Sequence, residues 1–137
     1  MLIQPYLYFD GRAEEALAFY THAVGAQVQT LLRYKENPQP GSAGPNPPDG
    51  EKIMHASMRI GESLVNLSDG ECRGEPDFRG FSLTLTTGSD QEATRCFNAL
   101  LDGGQVQMPL SKTFFASSFG MLRDRFGVHW LVMGPSV

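Results

Sequence analysis

Near neutral pH most of the proton chemistry open to this sequence rests on three histidines, and their settings differ. His55 stands in Ile53-Met-His-Ala-Ser-Met-Arg59-Ile60. Side chains alternate along an extended strand, so His55, Ser57 and Arg59 share one face while Met54, Ala56, Met58 and Ile60 form the apolar face. Imidazole, hydroxyl and guanidinium in a row suit an anionic or oxygen-rich ligand, and they suit a solvated strand face equally well. His129, in Val128-His-Trp-Leu-Val132, shares its face with Leu131, while Trp130 goes to the core side. It reads as a general base or hydrogen-bond donor, or as a rim residue without a chemical duty. His22 lies in the last turn of a helix, where its charged form favours the negative end of the helix dipole, so it reads as a surface residue. His55 and His129 are therefore the catalytic candidates. Glu14 and Glu15 adjoin on a helix and cannot face each other across a site, and no serine stands in a nucleophile motif. With no Cys-x-x-Cys or Cys/His cluster, Cys72 and Cys96 read as unpaired thiols.

The elements that must carry these residues repeat. Residues 18–29, AFYTHAVGAQVQ, align without a gap with residues 96–107, CFNALLDGGQVQ, at an offset of 78, and both run from a helix through glycine into a strand. In the first helix Ala13, Ala16, Leu17, Tyr20, Ala23 and Val24 recur at helical spacing, with Asp10 as N-cap and Gly25 as the left-handed stop. The second opens on the capping box Ser89-Asp-Gln-Glu92 and carries Ala93, Cys96, Phe97, Leu100 and Leu101 before Gly103. A strand precedes each helix (3–9 and 81–87), and three follow: 27–34, 53–60 and 63–68 in the first half, 105–110, 114–122 and 128–132 in the second. The order βαβββ, twice, predicts an α+β fold whose two modules, 1–70 and 78–137, form a cupped, partly closed mixed β-sheet in a single domain. Residues 70–80 form a short polar crossing. Residues 36–50, ENPQPGSAGPNPPDG, have no counterpart, and their proline and glycine density predicts a solvated loop, or a lid or arm if it has a function.

The same alternation sends Gln4, Tyr6 and Tyr8, then Leu64, Asn66 and Ser68, then Ser82, Thr84 and Thr86 to the inner face. Phe114, Phe115 and Phe119 add aromatic surface on alternate faces of the seventh strand. A wall of amides, hydroxyls and rings fits a small ligand with an apolar body and a few polar handles.

A hydrophobic content of 41% and charged content of 19% describe an ordinary globular chain. The net charge of −4, with dispersed cations, argues against nucleic acid as a partner. No apolar run spans a membrane and no signal-peptide pattern opens the chain, so the expected setting is cytoplasmic.

The opening PYLYFDGRAEEALAFYTHAVGAQV, the segment KIMHASMRIGESLVNLSDG and the closing FNALLDGGQVQMPLSKTFFASSFGMLRDRFGVHWLV resemble the PhnB-like branch of the vicinal oxygen chelate superfamily. That group includes glyoxalase I, the bleomycin-resistance proteins and the extradiol dioxygenases. The resemblance implies two βαβββ modules around a cupped site and a homodimer. Metal-dependent relatives take one ligand from the first and one from the last strand of each module. Carried onto this sequence, those positions are Gln4, Asn66, Gly80 or Ser82, and Leu131. Because this set offers no imidazole, thiolate or carboxylate, no metal is expected there. No cofactor is expected either. The branch is also described as a demethylubiquinone methyltransferase domain, but no glycine-rich strand-to-helix turn for a nucleotide-like cofactor is present.

The ligand-binding candidates are thus Gln4, Tyr6, Tyr8, His55, Ser57, Arg59, Asn66, Ser82, Thr84, Phe115, His129 and Leu131. The favoured function is binding of a small organic ligand without the usual metal. The rivals are a glyoxalase-type lyase or isomerase with non-standard ligands and a non-catalytic structural or regulatory dimer. Whether the protein is an enzyme stays open at the level of sequence.

Overall fold

The computed structural model describes residues 1–72 and 75–137; Arg73 and Gly74, within the crossing segment, lie outside the described residues. The chain divides into two compact units, Met1–Pro76 and Asp77–Val137. The first holds β1 (Tyr6–Tyr8), α1 (Ala13–Val24), β2 (Gln27–Arg33), β3 (Ile53–Ile60) and β4 (Ser63–Ser68). The second holds β5 (Leu83–Thr86), α2 (Asp90–Leu101), β6 (Gln105–Ser111), β7 (Phe119–Arg123) and β8 (His129–Met133).

Each unit is one βαβββ module with a four-stranded mixed sheet, in the orders β1-β4-β3-β2 and β5-β8-β7-β6. The first strand runs parallel to the last, and the other pairs are antiparallel. Neither sheet closes on itself, so the fold is α+β with two open mixed sheets.

The helices form where apolar spacing and caps agree. Ala13, Ala16, Leu17, Phe19, Tyr20 and Ala23 are buried on α1, and the chain leaves it through Gly25 at φ 70°. Leu7, Ile53, Ala56, Met58, Val65 and Leu67 of the strands beneath, and Phe9 just past β1, are apolar residues buried with them. On α2, Ala93, Cys96, Phe97 and Leu100 are buried, as are Leu122, Trp130 and Val132 in its sheet. Each fully buried Leu, Met or Phe contributes about 1.5–3 kcal/mol of transfer free energy. Ser89 caps α2, its hydroxyl accepting from the Glu92 N–H at 3.1 Å.

Carboxylates tie each helix start to its sheet, from opposite sides. In the first unit Asp69, just past β4, is 1% exposed; its Oδ1 accepts from Gly11 N–H (2.9 Å) and Ala13 N–H (2.8 Å), and its Oδ2 from Ile53 N–H (2.7 Å). In the second unit the carboxylate comes from the helix. Asp90 Oδ1 accepts from the hydroxyls of Ser117 (2.5 Å) and Ser118 (2.8 Å), and these bonds hold its carboxyl below the usual range. The residue past β8 is Gly134, where a Cβ would collide with Asp90.

Several expectations need correction. Asp10 does not cap α1: Arg12 occupies the N-cap position without a side-chain capping bond, and Asp69 does the work from the far end of the module. Asp10 instead accepts from the Glu75 N–H. The edge strands β1 and β5 are shorter than predicted, because only the segments paired to β4 and β8 adopt the ladder. Phe114 and Phe115 precede β7 rather than belonging to it; Thr113 folds that stretch into a turn by accepting from Ala116 N–H at 3.0 Å. On β3, Leu32 faces His55 and Arg33 faces Ile53, so Met54 is the extra residue of a bulge, and Ile53 rather than Met54 joins the core. The 36–50 segment is not wholly irregular, since Pro40–Ala43 forms a 3-10 turn.

Candidate functional site

In the first unit the face of the sheet away from the apolar core gathers most of the predicted polar side chains, with Ser57 and Ser68 themselves buried. Tyr6 lies abreast of Asn66, Asn66 abreast of Ser57, and Tyr8 abreast of Ser68. The Tyr6 hydroxyl meets His55 Nδ1 at 2.8 Å, and the Tyr6 ring lies 5.6 Å from the imidazole and 5.2 Å from the Tyr8 ring. Burial pushes the Tyr6 phenol above its ordinary range, with smaller contributions from Tyr8 and Tyr34, so at neutral pH it is a hydroxyl and not a phenolate. Asn66 Nδ2 donates to Gln4 Oε1 at 3.2 Å. Ser57 and Thr30 hydroxyls pair at 2.7 Å. Arg59 ends the row, exposed, abreast of Gln27 on β2 and Leu64 on β4. It has no hydrogen-bond or ion-pair partner among the described residues. His55, Ser57 and Arg59 therefore share a face as the alternation requires, because the bulge lies before His55 and leaves the phase of the rest intact.

In the second unit the corresponding face is mostly apolar. Leu131 lies between Thr84 and Met121, Met133 between Thr86 and Phe119, and His129 beside Arg123. Phe115 packs edge-on against Phe119 at 5.0 Å, so it belongs to this face from outside the strand. Trp130 is core, its Nε1 donating to the buried Asp124 at 2.9 Å. Asp124 also accepts from the Phe126 and Val128 N–H groups, which shapes the turn that Gly127 closes at φ 92°.

The two registers match. Tyr6 pairs with Asn66 as Thr84 pairs with Leu131; Tyr6 and Thr84 keep the 78-residue offset that also relates Gln27 of β2 to Gln105 of β6. Gln4, two residues before Tyr6, thus has its counterpart in Ser82, two residues before Thr84, and not in Gly80. By the same register Ser57 corresponds to Met121, His55 to Phe119 and Arg59 to Arg123. Gln27 faces Arg59 and Gln105 faces Arg123, so the repeated Gln-Val-Gln carries a matched arginine in each module. Arg59 stands among the candidates read from the sequence, whereas Arg123 and the matched Gln–Arg pairing do not, because that pairing is visible only across strands. His55 and His129 are not register counterparts, since His129 corresponds to Leu64.

The donor chemistry at the four carried-over positions does not fit a transition metal. The first module offers two neutral amides already bonded to each other, and the second a hydroxyl and a hydrocarbon. Zinc, iron or nickel sites need imidazole, thiolate or carboxylate. Among the described residues no three His, Cys, Asp or Glu side chains form a group suited to a metal ion.

A separate cleft of about 390 Å³ opens where the 36–50 segment folds beside Tyr34 and Gly70, lined by Pro45, Asn46 and Pro48 among others. The Tyr34 hydroxyl donates to the Gly70 carbonyl at 2.7 Å, fixing its floor. It contains none of the predicted site residues.

Comparisons with known proteins agree with this architecture. Residues 2–133 match the family described as 3-demethylubiquinone-9 3-methyltransferase. Protein YjdN of Escherichia coli K12 is 33% identical over 138 residues, covering 96% of this chain and 94% of its own. The crystal structure of protein PA1353 from Pseudomonas aeruginosa is 39% identical, with a TM-score of 0.81 over 98% of this chain and 97% of that one. A PhnB protein from Bacillus cereus is 28% identical, with a TM-score of 0.80 over 98% of this chain and 100% of its own. Glyoxalase and bleomycin-resistance proteins of much lower identity share the fold alone. Paired βαβββ units, matched registers and full-length similarity thus lead to one conclusion: the chain belongs to the PhnB-like family, described as 3-demethylubiquinone-9 3-methyltransferase, with the glyoxalase/bleomycin resistance/dioxygenase fold.

Proposed function

We propose that this protein binds a small organic ligand on the open sheet face around Tyr6, His55 and Asn66, without the metal used by its metal-dependent relatives. The observation that carries the reading is the Asn66–Gln4 amide pair: at positions where such relatives place strong ligands, each amide here satisfies the other. The surrounding rings and part-satisfied polar groups suit a ligand with an apolar body and a few oxygen or nitrogen handles. Methyl transfer, named in the family description, is not carried over. The turn from β1 to α1, Phe9-Asp10-Gly11-Arg12, has a single glycine and no nucleotide cradle.

Elemental analysis and native mass spectrometry of the purified protein test this reading. The expected result is no stoichiometric zinc, iron, nickel or manganese, together with a small molecule retained at low collision energy. Stoichiometric metal lost on His55→Ala or His129→Ala would overturn it in favour of a metalloenzyme with non-standard ligands.

A further inference from the structure

We propose that the ligand of the first sheet's open face is a small planar organic carboxylate, its negative group at Arg59 and a neutral oxygen at its far end on His55. This rests on the ligand-binding reading above and adds the charge and shape of the ligand. Three features carry it.

Arg59 is an exposed guanidinium with no ion pair among the described residues. None of the strand residues on its face is acidic: Tyr6, Tyr8, Gln27, Thr30, Leu32, His55, Ser57, Leu64, Asn66 and Ser68 include no carboxylate. A guanidinium on a face without carboxylates favours an anion, and guanidinium matches the two oxygens of a carboxylate.

Hydrogen-bond accounting gives the second feature. Tyr6 meets His55 at Nδ1. A phenol donates more readily than it accepts, and where Nδ1 is the acceptor the ring's proton is the one on Nε2. That leaves Nε2–H as a donor for a neutral oxygen. On the neighbouring strand Gln4 Oε1 is occupied by Asn66, which leaves the Gln4 Nε2 hydrogens as donors too.

Spacing gives the third. His55 and Arg59 lie four residues apart on β3, about 13 Å at roughly 3.3 Å per residue. Once both side chains reach inward, the gap suits one ring or a short unsaturated chain. The Tyr6 and Tyr8 rings, tilted by 31°, supply flat apolar flanks.

The test uses the full chain, two probes and NMR titration of backbone amides. Benzoate is expected to shift Tyr6, His55 and Arg59 resonances, and benzamide, its neutral isostere, to bind at least tenfold more weakly. Arg59→Gln should weaken benzoate tenfold or more, while Arg123→Gln, the register counterpart in the second sheet, should leave it unchanged. In Tyr6→Phe the imidazole nitrogen shifts should move away from the Nε2–H tautomer. Equal binding of benzamide, or loss of benzoate binding in Arg123→Gln instead of Arg59→Gln, overturns the carboxylate assignment and leaves the ligand-binding reading standing. So does a co-purified neutral compound together with no response to benzoate. A face that responds to neither probe, in a protein whose native mass spectrum carries no ligand, overturns both.

Discussion

At the scale of single residues, the groups that hold this protein together differ from those that offer chemistry. Asp69 is buried with three backbone N–H donors on its two oxygens, whereas the Arg59 guanidinium has no partner among the described residues. Asp69→Asn keeps the shape of the side chain but replaces one acceptor oxygen with a donor that faces another N–H. Hydrogen bonds to a charged group are worth about 1.5–3 kcal/mol each, so the loss expected in urea unfolding is about 3 kcal/mol. A loss under 1 kcal/mol would show that α1 is anchored elsewhere. The site-face substitutions, by contrast, act on exposed or half-exposed side chains and should leave the unfolding midpoint nearly unchanged.

At the scale of elements, sequence pattern and structure agree wherever a local rule governs the outcome. Strands β3 and β4 fall on the predicted residues, and both helices follow their apolar spacing. Disagreements arise where a distant partner decides. The Asp10 cap is displaced by Asp69, which lies 56 residues beyond Ala13 in sequence, and β7 starts late because Thr113 turns the chain. Likewise, the polarity of His55, Ser57 and Arg59 was legible as a pattern. The Tyr6–His55 bond and the Gln–Arg pairs across strands were not, since periodicity within one strand says nothing of the next strand's register. Close packing at Gly104 was equally hidden: a Cβ there would lie 2.9 Å from Asp124 Cα and still nearer the Arg123 carbonyl. Backbone cannot yield as a flexible side chain can, so Gly104→Ala should displace the start of β6 from β7. The expected cost is about 1–3 kcal/mol, the usual range for forcing extra atoms into a packed site. Comparison of thermal midpoints with Ser89→Ala, a lost helix cap worth about 1 kcal/mol, calibrates it. An alanine at 104 that costs less than the lost cap would refute the backbone clash.

At the scale of the whole molecule, one chain carries two copies of the same plan whose open faces have diverged in character. The first presents Tyr6, Asn66, Ser57 and His55 where the second presents Thr84, Leu131, Met121 and Phe119. Restoring a single carboxylate by Leu131→Glu therefore adds a charge to a thioether-and-aromatic surface and should not create a tight zinc site, as isothermal titration would show. Low-micromolar zinc binding by that variant would mean that stronger donors stand nearby.

Duplicated modules also face a hazard during folding, because a last strand from one copy can pair with the first strand of the other. The oppositely sourced carboxylates act as a key that makes such exchange self-defeating. If β4 took the place of β8, Asp69 would arrive where Gly134 belongs and set a second carboxylate against Asp90. If β8 took the place of β4, Gly134 would leave the Gly11, Ala13 and Ile53 N–H groups without an acceptor. Like charges in one error and orphaned donors in the other would penalise each exchange. Gly134→Asp sets that second carboxylate against Asp90 in the native pairing itself, so it should lower the thermal midpoint as well as the refolding yield, and an unchanged midpoint would show that the position tolerates a carboxylate and cannot act as the key.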